Sequence, residues 1–174
     1  MALSVSLEGV LLFLKEAINF TVEHNSLEWN PPASIPNLVQ KCERFFLPSM
    51  GHAFVHQCMQ DEILRYGQLI GFNMENWIQM PQEDARLYIR KSLRKLMRQI
   101  PDEDRFKHLY LIAFVCYLSC YVARKNKLDF MRFIVSESVT YLYTGYKFRK
   151  NFKFFQNISN LYNYEHWRIH DRKN

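Results

Sequence analysis

Glycine and proline are scarce, 5 and 6 in 174 residues, and no proline follows Pro101. Few breakers argue against many short strands and for long uninterrupted helices. The glycines are scattered singly, so no glycine-rich phosphate loop exists. The four cysteines, Cys42, Cys58, Cys116 and Cys120, form no CxxC. That pattern offers no zinc ribbon and no dithiol redox motif, and it fits a reducing compartment. The first residues lack a basic cluster, and Glu8 interrupts their apolar run. No signal peptide is expected, and the polar Arg168 to Asn174 predicts no transmembrane tail. Neither a G-x-S-x-G elbow nor a local Cys/His signature occurs. No enzyme, cofactor or metal is expected. His52/His56 and His166/His170 have a ligand-like i, i+4 spacing but lack a third ligand nearby, and read as surface or half-packed histidines.

Charge is missing altogether from His108 to Ala123, sixteen residues flanked by Arg105, Lys107, Arg124 and Lys125. Apolar residues cover every side of the helix this stretch would form, so it belongs inside a protein or a bilayer. Sixteen residues rise only about 24 Å, short of the roughly 30 Å hydrocarbon core. The stretch is therefore read as the central helix of a domain, with no membrane span.

What is abundant arranges itself around that helix. Leu7, Leu11, Leu14, Ile18 and Val22 recur at helical spacing and predict a first helix ending near His24. Residues 25–36 read as a loop. Ser34 and Pro36 would start a second helix running to about Phe46, with Leu38, Cys42, Phe45 and Phe46 on its apolar face. A third is expected from about Ser49 to Leu69, facing inward through Phe54, Val55, Met59, Ile63 and Leu64, with Gly67 and Gly71 at its end. Residues 72–80, containing Trp77, read as a connector with room for one helical turn.

Pro81 opens a fourth helix with Ile89, Leu93, Leu96 and Ile100 inside. Arg86, Arg90, Lys91, Arg94, Lys95 and Arg98 lie outside. Pro101-Asp-Glu-Asp would open the central fifth helix, at about 103–124, since acids favour a helix start. After a tight connector, Asp129 would cap a sixth helix facing inward through Phe130, Phe133, Ile134, Tyr141 and Leu142, with Gly145 as its stop. Phe148, Phe152 and Phe155 suggest a short seventh, and Leu161 to Ile169 closes the chain. The prediction is an all-α single domain over residues 1–174, about seven helices round one apolar helix.

Charge is uneven. Residues 1–85 carry 4 basic and 10 acidic side chains, and residues 86–174 carry 19 and 7. Either the basic half meets an anionic partner, or the halves attract each other within one fold. The cationic ridge of the fourth helix likewise contacts phosphates or an acidic partner, or is simply a solvated face. Nucleic acid is the less favoured partner, because Tyr88 is the only ring between those charges.

The helix order resembles the Bcl (B-cell lymphoma) family of apoptosis regulators, including its viral members. Val10-Leu-Leu-Phe-Leu-Lys-Glu-Ala-Ile-Asn-Phe20, followed by Leu27-Glu-Trp29, is similar to the family's fourth homology region. Leu38, Cys42, Glu43 and Phe45 are similar to the third, with Cys42 where glycine is usual and Glu43 where aspartate is usual. Ile63-Leu-Arg-Tyr-Gly67-Gln68-Leu-Ile70 is a second candidate, without the acid. Glu83 to Met97 and then Leu111-Ile-Ala-Phe114 resemble the run into the first region. Lys107-His108-Leu109-Tyr110 departs there from the family's Asn-Trp-Gly-Arg. The second region has at best Tyr164-Glu-His-Trp167.

The resemblance implies a Bcl-like bundle that takes a partner's amphipathic helix in a trench between helices two to five. Phe45, Phe54, Met59, Leu93, Met97, Leu109 and Ile112 would line it. Arg94, Arg105 or Lys107 would meet the ligand's acid. Ordinary core packing competes for each of these apolar residues. The implied role is non-enzymatic regulation of cell death, pro-survival in direction, with the protein cytoplasmic or held peripherally at mitochondria by partners. Some relatives of this kind instead block innate-immune signalling through protein contacts. A basic nucleic-acid-binding domain is the further alternative.

Overall fold

The computed structural model describes residues 6–24, 50–51, 67–68, 70–104 and 107–144. Among them, all regular structure is helical: α1 Leu7–His24, α2 Met74–Trp77, α3 Gln82–Gln99, α4 Lys107–Arg124 and α5 Met131–Thr144. A 3-10 turn, Leu128–Phe130, leads into α5. The expected second and seventh helices, most of the third, loop 25–36, Gly145 and Leu161 to Ile169 lie outside the described residues.

The charge-free helix is central. α4 buries Leu109, Leu111–Cys116, Leu118–Cys120 and Val122, which together occupy every side of it. α1, α3 and α5 each pack against it, and α1 and α3 also pack against α5. This follows from the missing polar stripe: with no face for water, α4 is covered by neighbours that keep polar faces of their own. α3 is such a neighbour. Ala85, Ile89, Ser92, Leu93 and Leu96 are buried on one side of it, as the spacing predicts.

Local chemistry sets the helix ends. Ser6 Oγ accepts the Gly9 N–H at 3.1 Å and caps α1. Asn73 Oδ1 accepts the Asn76 N–H at 3.0 Å and starts α2. Gly71, at φ +68°, closes the helical turn at Gly67 and Gln68. The Phe72 N–H reaches Gly67 O at 2.9 Å and the Gly71 N–H reaches Gln68 O at 3.1 Å, a Schellman motif. Asn126, at φ +54°, ends α4 the same way, with Lys127 N–H to Val122 O at 3.0 Å and Asn126 N–H to Ala123 O at 3.2 Å. Asparagine is the side chain that best tolerates this left-handed conformation after glycine.

Two expected starts differ. Pro101 to Asp104 is a turn of its own, closed by Asp104 N–H to Pro101 O at 3.0 Å, and α4 begins at Lys107 rather than near 103. Ile100, just before the proline, is extended at ψ 120°, as a pre-proline residue prefers, so the chain breaks direction there. Asp129 caps nothing; it sits inside the 3-10 turn, and α5 starts two residues later.

The connector holds more of the core than its composition suggests. Trp77 is 0% exposed. Its indole N–H donates to Ala85 O at 3.1 Å, and its ring meets Phe72 at 5.5 Å and Phe130 at 5.3 Å between centroids. Phe72 in turn packs on Tyr88 and Phe114. Tyr88 straps the connector to α3: its hydroxyl accepts the Asn73 N–H at 2.9 Å and donates to Gly71 O at 3.2 Å. The buried hydroxyls of Thr21, Ser119 and Ser138 each donate to the carbonyl four residues back. Among the described residues, no buried side-chain nitrogen or oxygen lacks a partner.

Candidate functional site

The trench candidates divide three ways. Leu93, Leu109 and Ile112 are 1%, 0% and 0% exposed and belong to one continuous core cluster. Met97 is half-buried and packs against that cluster. Phe45, Phe54 and Met59 lie outside the described residues, as do Leu38, Cys42, Glu43 and Arg105. On the expected rim, Arg94 is exposed. The Lys107 ammonium instead donates to Asp102 at 2.7 Å, and its side chain is only 12% exposed. The acid that takes it belongs to the turn before α4.

The α3 ridge is not one uniform charged face. Arg86 and Arg90, one helical turn apart, reach across to Glu137 of α5. Arg90 grips it with both ends of its guanidinium, Nε to Oε2 at 2.9 Å and Nη2 to Oε1 at 3.0 Å. Arg86 adds a 3.4 Å contact to Oε1 and is itself bridged to Glu83. Glu137 is 7% exposed, so this is a desolvated carboxylate between two cations, the bidentate geometry that arginine favours. The result is a closed quartet of two acids and two bases that joins α3 to α5.

Glu137 was legible in principle. It stands three residues after Ile134 and four before Tyr141, on the inward stripe of its helix, where an acid requires a cation. Lys91, Arg94, Lys95 and Arg98 remain exposed at the outer face of α3, with no ion pair among the described residues.

The Arg86 hydrogen bond holds the Glu83 carboxyl below its ordinary value of 4.5, with the charges of Arg86 and Arg90 assisting against desolvation. A depressed acid contributes stability above its unfolded pKa and loses it as pH falls through its folded value. Glu83→Gln is therefore expected to melt lower than wild type at neutral pH, and the gap to close in acid below the folded pKa of Glu83. Denaturation midpoints followed against pH check this.

Both cysteines among the described residues, Cys116 and Cys120, are buried. Burial pushes the Cys116 thiol up to about 12, against a smaller opposing effect of a Thr21 hydrogen bond. Burial likewise raises Cys120 to about 11, with Arg124 opposing. Neither forms a thiolate at neutral pH, and thiols of this kind are inert. Peptide mapping after iodoacetamide treatment of the native chain is expected to find Cys116 unlabelled; denaturant should expose it to full labelling. Among the described residues no group of three or more His, Cys, Asp or Glu is placed to hold a metal, and no helix is long and apolar enough to cross a membrane.

No family model, no curated protein and no solved structure matches this chain. The functional reading rests on the residues themselves.

Proposed function

We propose that this chain is a non-enzymatic regulator of cell death of the Bcl type, which binds amphipathic pro-death helices of protein partners and acts in the pro-survival direction. The observation that carries the reading is α4: an apolar helix buried on every side by amphipathic neighbours, as the resemblance implies. The ligand would be a helix with apolar side chains at i, i+3, i+4 and i+7. Met97, half-buried, and exposed Arg94 one turn before it would offer it an adaptable apolar contact and a cation. A protein acting this way works in the cytoplasm, and reaches mitochondria through its partners.

Titration with pro-death helix peptides tests this. Dissociation constants tighter than about 10 μM, roughly −6.8 kcal/mol, are expected. Weaker binding by every peptide removes the groove reading.

One observation favours a second reading. Leu93, Leu109 and Ile112 are core residues with no surface to offer a ligand. Burial of these three fits a blocker of innate-immune signalling that acts through an outer helical face. Co-purification of signalling adaptors, with no peptide binding, selects it.

A further inference from the structure

The outer face of α3 has a use beyond the two readings above, the first of which draws on Arg94 alone. We infer that Lys91, Arg94, Lys95 and Arg98 form a docking ridge for the phosphate backbone of double-stranded nucleic acid. Steps of three and four residues put these four cations along one side of the helix. All four are exposed. No described acid pairs with them, because the α3 residues that do meet acids, Arg86 and Arg90, are held by Glu83 and Glu137. The helix-dipole effect explains a cation only in the last turn, where Arg98 stands, which leaves Lys91, Arg94 and Lys95 without that account. The chain as a whole is basic, with a pI near 9.2, the range in which a helix-borne cluster of Lys and Arg marks a nucleic-acid footprint.

The structure also separates this partner from the other polyanions. A helix lying on a bilayer needs a free apolar face. That of α3 is buried in the core through Ala85, Ile89, Leu93 and Leu96, and Leu87 is the only exposed large apolar residue on the helix. Among the described residues of α3, an acidic peptide would find only half-buried Met97 as an apolar contact beside the charges. Single strands are gripped by stacking on exposed rings, but the ring within the ridge, Tyr88, is half-buried against Phe72 and tied to Gly71 and Asn73. What remains is charge in a straight line. From Lys91 to Arg98 the ridge rises about 10 Å, which spans about three phosphates of one duplex strand. Contact of this kind is independent of base sequence.

The full chain is titrated into a fluorescent 20-base-pair duplex at rising salt. Three neutralised phosphates give a slope of log K against log salt of about −2.7, so binding weakens about 40-fold between 50 and 200 mM. Replacing all four cations with alanine is expected to weaken binding at least tenfold and flatten the slope. Because the four side chains are exposed and alanine is the best helix former, circular dichroism should show the fold retained. The control Arg124→Ala/Lys125→Ala/Lys127→Ala, at the end of α4, should bind like wild type. The inference is overturned by no duplex binding at 50 mM salt, or by an unchanged quadruple variant. An equal loss in the control, preference for a single strand, or binding to phosphatidylserine vesicles without binding to the duplex would also overturn it.

Discussion

Trp77→Ala is expected to cost about 3–5 kcal/mol of folding stability, the usual range for removing a buried tryptophan. Against a typical total of about 5–15 kcal/mol, that leaves a barely folded domain. The reason is where Trp77 sits. It belongs to a one-turn helix that has almost no stability of its own. Its side chain is fully buried between Phe72 and Phe130 and hydrogen-bonded to the first turn of α3. Removing it empties the junction of the 67–80 segment, α3 and the approach to α5 together. Trp77→Phe keeps most of the volume but leaves the Ala85 carbonyl without the indole, and a smaller loss of about 1–3 kcal/mol is expected. Urea denaturation of the two variants separates volume from hydrogen bond. If Trp77→Ala costs no more than Trp77→Phe, the packing account is wrong.

The second large effect is an asymmetry within one ion pair. Arg90→Ala leaves Glu137 buried, with only the 3.4 Å contact from Arg86 to balance it. A loss of about 2–4 kcal/mol is expected, lower than for a fully buried pair because the Arg90 side chain is 42% exposed. Glu137→Leu should cost much less, about 1 kcal/mol or under, because both arginines reach water once the carboxylate is gone. The double variant Arg90→Ala/Glu137→Leu should be more stable than Arg90→Ala alone. A double-mutant cycle measures this directly. Equal losses for the two single variants would mean that Glu137 is solvated, contrary to its burial.

How much of this was legible depended on the range of the interaction. Burial of α4 was readable because it is a property of one segment: sixteen residues without charge leave no face for solvent. The inward set of α3 and the left-handed Gly71 were readable for the same reason, since periodicity and turn chemistry act over a few residues. Glu137 was not read, because its partners stand 47 and 51 residues away. Arg86 and Arg90 therefore looked like the four solvated cations beside them. Trp77 was placed in a connector, and no periodic pattern reports that a connector is buried. The acids of Pro101 to Asp104 looked like a helix start; the bend at Ile100 made them a turn, and Asp102 took the Lys107 charge expected at the rim. Of the expected trench residues, Leu93, Leu109 and Ile112 are buried in the core cluster; a helix face does not say whether it meets core or ligand.

The sequence by itself determined the helical class, the apolar helix at the centre and the faces that α3 and α5 turn toward it. These follow from local periodicity and from the cost of burying charge. Of the expected α1 stripe, Leu14, Ile18 and Val22 are buried, but Leu7 is 44% exposed and Leu12 and Phe13 are buried in its place. Only the tertiary structure decided which cations are spent on Glu137 and which stay on the surface, and that Trp77 closes the core. Both depend on distant segments being brought within a few ångströms, where desolvation turns a surface charge into a structural one.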